Sequence, residues 1–568
     1  MTAQIEDELK RATYHVDLTT EGGILHADPR TVEAVLDGLQ TTFQALTSGG
    51  DSSATDPRFP VNGFPHGRQS YKPLVHLLNK IIDSANRYIP RSQLSELRFY
   101  PIGGKIKETY ESHEGLLTPK GVGIIGELLT EIEEPPEEPA EEPVQDHAEK
   151  SELSWEQIEV TVYSKASVRD LVRQSGTYAR CCLLNNQRRF FTLGIGFQYK
   201  KLEAYVFVFH HAGLSSSHPI EITTNEGFKG LVKHIVGILS IKDETAYCLD
   251  PTRFQKFFYI NNRYYESVRL LHVRGTLRGR STIVHSFQGM YIRILSAGLH
   301  LFIAYPAVNW IPHHYMESRM LTLAPGVYHL PDKLTYKLTY PIKGYSEEGP
   351  LLSKFNGQFG IADVIGYYEC GTQDPHGSTS RLLNDAEFWN IFEQKDHPEG
   401  RLHEPEERGL QCIALSGEGK ALIDLHDADG GTPSPGELLE TILHAIIGKW
   451  CPPCISLLLK FADLGHYNLF DKGILHRDVS SGNVMRYLKP IERPALDKLW
   501  LLTLYFAGLN IDVILRFDCT KNVNYCRGFL IDSDHAIKWR EQSSSQLISV
   551  CGWNRLASLN PPVLRHAS

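Results

Sequence analysis

Apolar residues recur along this chain of 568 residues in two rhythms, and the change of rhythm marks a change of architecture. Between Tyr71 and Tyr88, Leu74, Leu77, Leu78, Ile81 and Ile82 return every three or four positions, which predicts one amphipathic helix with its stripe in a core. Ile158 to Val162 reads as a strand, with a helix expected after it. The runs Gln187 to Phe197 and Leu202 to Phe209 are rich in aromatic and β-branched residues and read as paired strands. Phe228, Leu231, Val232, Ile235 and Val236 return to helical spacing. Later, Phe359 to Tyr368, Arg408 to Leu415 and Gly419 to Leu425 continue as extended segments. Ser434, Pro435 and Glu437 then supply an N-cap, a first-turn proline and a third-position acid, opening a helix whose stripe includes Leu438, Leu439, Ile442 and Leu443.

Two stretches lack such rhythm. Residues 1 to about 60 are polar and read as a partly ordered leader. Residues 127–150 repeat Glu and Pro with almost nothing to bury, which predicts an extended, solvated linker. The expected organisation is therefore a leader and helical region (1–126), the acidic linker (127–150), an α+β domain (151–265) and a larger domain (266–568).

Composition narrows the function classes. Hydrophobic residues make up 42%, an ordinary share for a globular chain, and because much of the acid behind the net charge of −9 sits in one segment, no whole-molecule field argues for nucleic acid. The first residues, Met1 to Glu8, lack the basic and apolar regions of a signal peptide, and no apolar run reaches the length of a membrane span. An intracellular protein, cytoplasmic or nuclear, is expected, without membrane or nucleic-acid partners. Ten cysteines suit reduced thiols there, and Cys451 and Cys454 have no second pair to complete a zinc site. His210–His211 and His313–His314 are poor metal pairs, because neighbours on a strand point to opposite faces.

The chemistry concentrates near the end of the chain. Ile474 leads into His476-Arg477-Asp478, and Asn483 follows five residues after the Asp. That spacing is the one protein kinases use, with the Asp taking the substrate hydroxyl's proton and the Asn holding magnesium. Downstream, Asp532 follows a short apolar run, as on a buried strand ending at a metal, and is the candidate main magnesium ligand; Asp534 lies two residues beyond.

These motifs resemble the fungal-type protein kinases, whose catalytic loop reads His-Arg-Asp-Ile/Val-Ser-x-Gly-Asn and whose metal motif is Leu-Ile-Asp-x-Asp. Ser480 stands where ordinary Ser/Thr kinases carry a lysine, a departure that family shares. The resemblance extends upstream through Tyr178-Ala179-Arg180, Arg188-Arg189-Phe190 and the turn from Phe209 to Gly213, and covers most of residues 65 to 535. It implies an α+β chain in which a two-lobed kinase-like domain follows a smaller α+β domain. Gly279, Arg280, Ser281 and Thr282 resemble the family's nucleotide loop, with Ser281 in place of a second glycine, although a plain hairpin explains the same residues. Lys337 is similar to the family's phosphate-anchoring lysine, with Lys333 and Lys343 as competitors. Glu348 is the candidate for its carboxylate partner, with Glu347 as runner-up and a surface charge as the plain alternative for either.

The resemblance implies transfer of the ATP γ-phosphate to a protein Ser or Thr hydroxyl, with magnesium as cofactor. His476, Arg477 and Asp478 would form the catalytic loop, and Asn483 and Asp532 would hold the metal. A non-catalytic pseudokinase that binds nucleotide or another protein is the alternative, and a small-molecule phosphotransferase the third reading. Metal-dependent nuclease chemistry at Glu159 and Lys165 fails, because the two are six residues apart. Stretches 289–324, 449–464 and 488–526 interrupt the resemblance and read as inserts of the kind that untrimmed introns leave. The large lobe reads as cut short, since 34 residues follow Asp534.

Overall fold

The computed structural model describes residues 2–21, 23–47, 71–89, 97–101, 121–125, 155–185, 189–241, 257–260, 263–273, 276–279, 281–290, 321–325, 327, 330–343, 348–357, 360–369, 378–392, 405–421, 474–475, 484–492, 525–530 and 537–538. In chain order the N-terminal unit comprises α1 (Thr2–Leu9), β1 (Thr13–His15), α2 (Pro29–Thr47), α3 (Tyr71–Ala85), β2 (Leu97–Pro101), β3 (Gly121–Ile125), β4 (Ile158–Lys165) and α4 (Val168–Asn185). It continues with β5 (Phe191–Gln198), β6 (Glu203–His210), β7 (Gly213–Ser216), β8 (Ile220–Glu221) and α5 (Asn225–Leu239). There follow β9 (Phe257–Ile260), β10 (Arg263–Val273), β11 (Ile283–Met290), β12 (Thr322–Leu323), β13 (Lys333–Thr339), α6 (Glu348–Ser353), β14 (Val364–Glu369), β15 (Glu387–Phe388) and β16 (Gln411–Ser416). The last described elements are β17 (Gly419–Ala421), β18 (Ile474–Leu475), β19 (Val484–Glu492), β20 (Tyr525–Leu530) and β21 (Ile537–Lys538).

The first sheet runs β15-β1-β7-β6-β5-β4-β3-β2, with β8 also on β6. Its pairs are antiparallel except β1 with β7 and β4 with β5. Both faces are covered, which explains why its strands are apolar almost throughout. On β6, Val206 and Val208 face one cluster with α3 and α5, while Tyr205, Phe207 and Phe209 face another with α1 and α4. On β5, Leu193, Ile195 and Phe197 join the first cluster, and the other face carries glycine. A Cβ on Gly196 would sit 2.5 Å from the Phe207 ring, so the bare backbone makes room for an aromatic side chain. The helix from Asn225 is capped by Thr224, whose hydroxyl accepts from the Gly227 N–H at 3.0 Å.

The helix expected over 71–88 is present to Ala85, and Leu74, Leu77, Leu78, Ile81 and Ile82 are all buried. The leader reading of residues 1 to 60 is overturned for 2–47. Ile5 and Leu9 are fully buried against α4, and β1 is an interior strand between β7 and β15. The segment looks polar because only one stripe of each short helix is apolar, and three residues are too short a run to show a strand period.

The second sheet runs β12-β14-β16-β13-β11-β10-β9, with every pair antiparallel. It shares a core with the N-terminal unit: Ile283, Leu338, Tyr340, Leu382, Leu410 and Cys412 lie in the same buried cluster as Val206 and Ile235. β15 also crosses over to pair with β1. A hydrogen-bond relay crosses the same boundary. The Ala212 N–H donates to His210 Nδ1, which fixes the ring proton on Nε2, facing Ser215 Oγ at 3.0 Å, and that hydroxyl donates to the Leu382 carbonyl. Part of the stretch read as a first insert is structured, since β12 pairs with β14 and Ala324 is buried.

Candidate functional site

Lys337 lies on β13, between Val284 of β11 and Ile413 of β16, so its stem is held on both sides by the sheet. Its amine reaches Glu348 Oε2 at 2.6 Å, and the two side chains are only 5% and 2% exposed. A charged pair at that depth needs a fixed geometry, because either member alone would lie buried and uncompensated. The geometry comes from α6. Leu351 and Leu352 anchor the helix in a cluster with Phe355, Ile361 and Val364. At Gly349 a Cβ would come within 2.5 Å of Tyr367 Cβ, so the helix start is pressed directly onto β14.

The competing lysines have other surroundings. Lys333 is exposed at the start of its strand. Lys343 pairs with Glu407 at 3.1 Å. Glu347 lies outside the described residues.

Between β10 and β11 the described residues are 276–279, 281 and 282, and two of them have unusual backbone. Gly279 has φ +141 and Ser281 φ +42, and a Cβ on Gly279 would lie 2.7 Å from Thr276 Oγ1. Glycine is required at 279, and Ser281 is held in a left-handed conformation that serine adopts at a cost. Thr282 Oγ1 lies 3.5 Å from Thr339 Oγ1, which places this end of the turn beside the strand that carries Lys337. Arg278 pairs with Glu406 at 3.0 Å, and Glu406 in turn with Arg408 at 3.0 Å. Arg280 lies outside the described residues.

His476, Arg477, Asp478, Asn483 and Asp532 also lie outside the described residues, as do Cys451, Cys454, His313, His314 and the helix expected from Ser434. The strands that flank them are described. β18 ends one residue before His476 and pairs with β21, Leu475 opposite Ile537. β19 begins one residue after Asn483 and pairs with β20, Val484 opposite Leu530. Tyr487, Met485 and Ile491 of β19 pack in the cluster that holds Leu351 and Leu352 of α6. The turn after β16 seats them: Gly417, at φ +83, would place a Cβ 3.0 Å from Ile491 and 3.2 Å from Tyr487. The strand leaving the predicted catalytic stretch is thus packed on the same cluster as the helix that carries Glu348.

Among the described residues, other paired or titratable groups also lie at depth. Glu159 pairs with Arg189 at 2.8 Å, and burial pushes its carboxyl above the usual range although Arg189 opposes the shift. Burial lowers His210 and His211 to about 3, so both are neutral. Among the described residues no group of three or more His, Cys, Asp or Glu is placed to share a metal, and no helix is long and apolar enough to cross a membrane. Sequence reasoning missed Glu8, His211 and Leu277, which touch the 276–282 turn or belong to it. No local pattern signals them, because their partners are hundreds of residues away for Glu8 and about 70 for His211.

No curated protein and no solved structure matches this chain. The family model described as fungal protein kinase matches residues 140–289 and 455–554. The first segment runs through the N-terminal sheet to the 276–282 turn, and the second spans the His-Arg-Asp and Ile-Asp stretches. Lys337 and Glu348 lie between the two, so their pairing is an observation separate from the match. The resemblance drawn from the motifs is borne out in these two segments, which are similar to the fungal protein kinase family.

Proposed function

We propose that the chain binds magnesium-ATP between the second sheet and the 474–538 strands and transfers the γ-phosphate to a protein Ser or Thr hydroxyl. The observation that carries this reading is the buried Lys337–Glu348 pair, reaching from the third long strand of an antiparallel sheet to the first residue of the following helix. Protein kinases need that lysine-to-glutamate pair in place for activity, because it holds the lysine amine toward the nucleotide phosphates.

In this reading Glu348 fixes the Lys337 amine, and Gly279, Ser281 and Thr282, with Arg280, form the turn over the phosphates. Asp478 accepts the proton of the substrate hydroxyl, positioned by His476 and Arg477. Asn483 and Asp532 carry the oxygens suited to magnesium, which when bound would neutralise phosphate charge. Support for their proximity comes from connectivity: each is one or two residues from the paired rung Val484–Leu530, and consecutive Cα atoms are about 3.8 Å apart. The fit at the nucleotide end rests on the buried amine and the left-handed backbone at 279 and 281.

The test is magnesium-dependent phosphate transfer from ATP by the full chain, beside Asp478→Ala and Asp532→Asn. Loss of turnover of about a hundredfold or more in both variants is expected. Transfer that persists unchanged in either would contradict the assignment. Nucleotide binding without transfer in the unsubstituted chain would favour the pseudokinase reading.

A further inference from the structure

The turn between β10 and β11 belongs to the second sheet, yet much of its bonding goes to the N-terminal unit. Leu277 is completely buried in the cluster formed by Ile5 and Leu9 of α1 and by Leu171, Val172 and Tyr178 of α4. Its socket exists because position 176 is glycine: a Cβ there would lie 2.8 Å from Ile5, 3.2 Å from Leu277 and 3.4 Å from Leu9. The Leu277 N–H donates to Glu8 Oε2 at 2.8 Å. Two residues on, the Gly279 N–H donates to the His211 carbonyl at 3.1 Å. His211 is itself fixed, with its ring stacked on Tyr340 at 3.8 Å between centroids.

Backbone N–H groups of a glycine turn are what such a turn offers to phosphate oxygens. Here two of them are committed to acceptors of the N-terminal unit. An apolar side chain of the same turn is also lodged in that unit's core, and burial of a leucine strongly resists withdrawal. A turn held this way cannot close over a nucleotide unless the contacts are released.

We propose that the N-terminal unit is an autoinhibitory latch on the nucleotide turn, with Leu277 as its bolt and Glu8 and His211 as its catches. The inference rests on the reading of residues 279–282 as the nucleotide loop. Release of Leu277 frees the Gly279 amide and raises nucleotide affinity, because apparent affinity is reduced by the fraction of molecules in the competent state. Leu277, Glu8 and His211 are positioning residues.

The test is calorimetric affinity for magnesium-ATP in the full chain, in Leu277→Ala and in Glu8→Ala, each also made with Lys337→Ala. Tighter binding by about fivefold or more in either variant is expected, with loss of that binding on adding Lys337→Ala. Glu8→Gln, which keeps an acceptor for the Leu277 N–H, should return affinity toward that of the unsubstituted chain. Glu8→Ala opens no cavity in the core, so it keeps the test available should Leu277→Ala fail to fold. Equal or weaker binding in both variants, with cooperative melts intact, overturns the latch and leaves the nucleotide site standing. Absence of binding in every chain overturns the nucleotide reading and the latch with it.

Discussion

Each of the two large sheets buries an ion pair, and the two pairs differ in what surrounds them. In the first sheet Arg189 pairs with Glu159 and also donates to the Ile158 carbonyl. The guanidinium meets a backbone carbonyl and a carboxylate together, which is the work arginine does inside scaffolds. In the second sheet Lys337 meets Glu348 across the space between a strand and a short helix. Lysine is a compact point charge that can be redirected to a ligand, and its partner sits on an element of six residues. Equal depth therefore does not mean equal setting: one pair ties a loop to a strand, and the other sets a short helix against a strand at the site proposed for nucleotide.

Breaking the pairs singly gives the largest effects. Lys337→Ala leaves Glu348 buried without its lysine, and Glu159→Ala leaves Arg189 in the same condition. Each should cost about 3–5 kcal/mol in chemical unfolding. A loss below about 1 kcal/mol for either would mean that the pair is solvated in solution.

Acid should sharpen the comparison at the boundary between the sheets. In the unfolded chain a histidine protonates near the ordinary value of 6.5, whereas His210 and His211 stay neutral to about 3. The unfolded state therefore binds more protons below pH 6.5. Stability is full above that pH and falls as pH drops toward 3, by about 1.4 kcal/mol per pH unit for each histidine. Unfolding midpoints between pH 7 and 5 check this, and His211→Phe, which keeps a ring against Tyr340, should flatten the slope by one histidine's share.

The smallest effect is expected at the turn. Gly279→Ala forces a side chain into φ +141 and against Thr276, at about 1–3 kcal/mol of strain. Unchanged stability there would mean that the turn relaxes, and that it is less fixed than its contacts to Glu8 and His211 imply.

Legibility in the sequence followed the range of the interactions. The helix over 71–88, the strands around Val160, Leu193 and Val206, and the α5 stripe were readable because each has a period of its own. Lys337 and Glu348 were readable as candidates through resemblance, but Lys343 competed with Lys337 until packing was seen to give it to Glu407. The leader was misread because β1 gains its place from β7 and β15, about 200 and 370 residues away. Leu277 gave no signal, since a leucine in a turn is ordinary and its socket at Gly176 is a hundred residues upstream.

The most direct test compares the two pairs by ligand response. Thermal melts of Lys337→Ala and Glu159→Ala, each with and without magnesium-ATP, separate a ligand-facing pair from a scaffold pair, because a ligand that binds only the native state raises its melting temperature. Glu159→Ala should melt lower than the unsubstituted chain yet rise by several degrees with nucleotide, as that chain does, while Lys337→Ala should melt lower and not respond. An equal response in both, or none in the unsubstituted chain and in Glu159→Ala, would contradict the assignment of Lys337 to a nucleotide site.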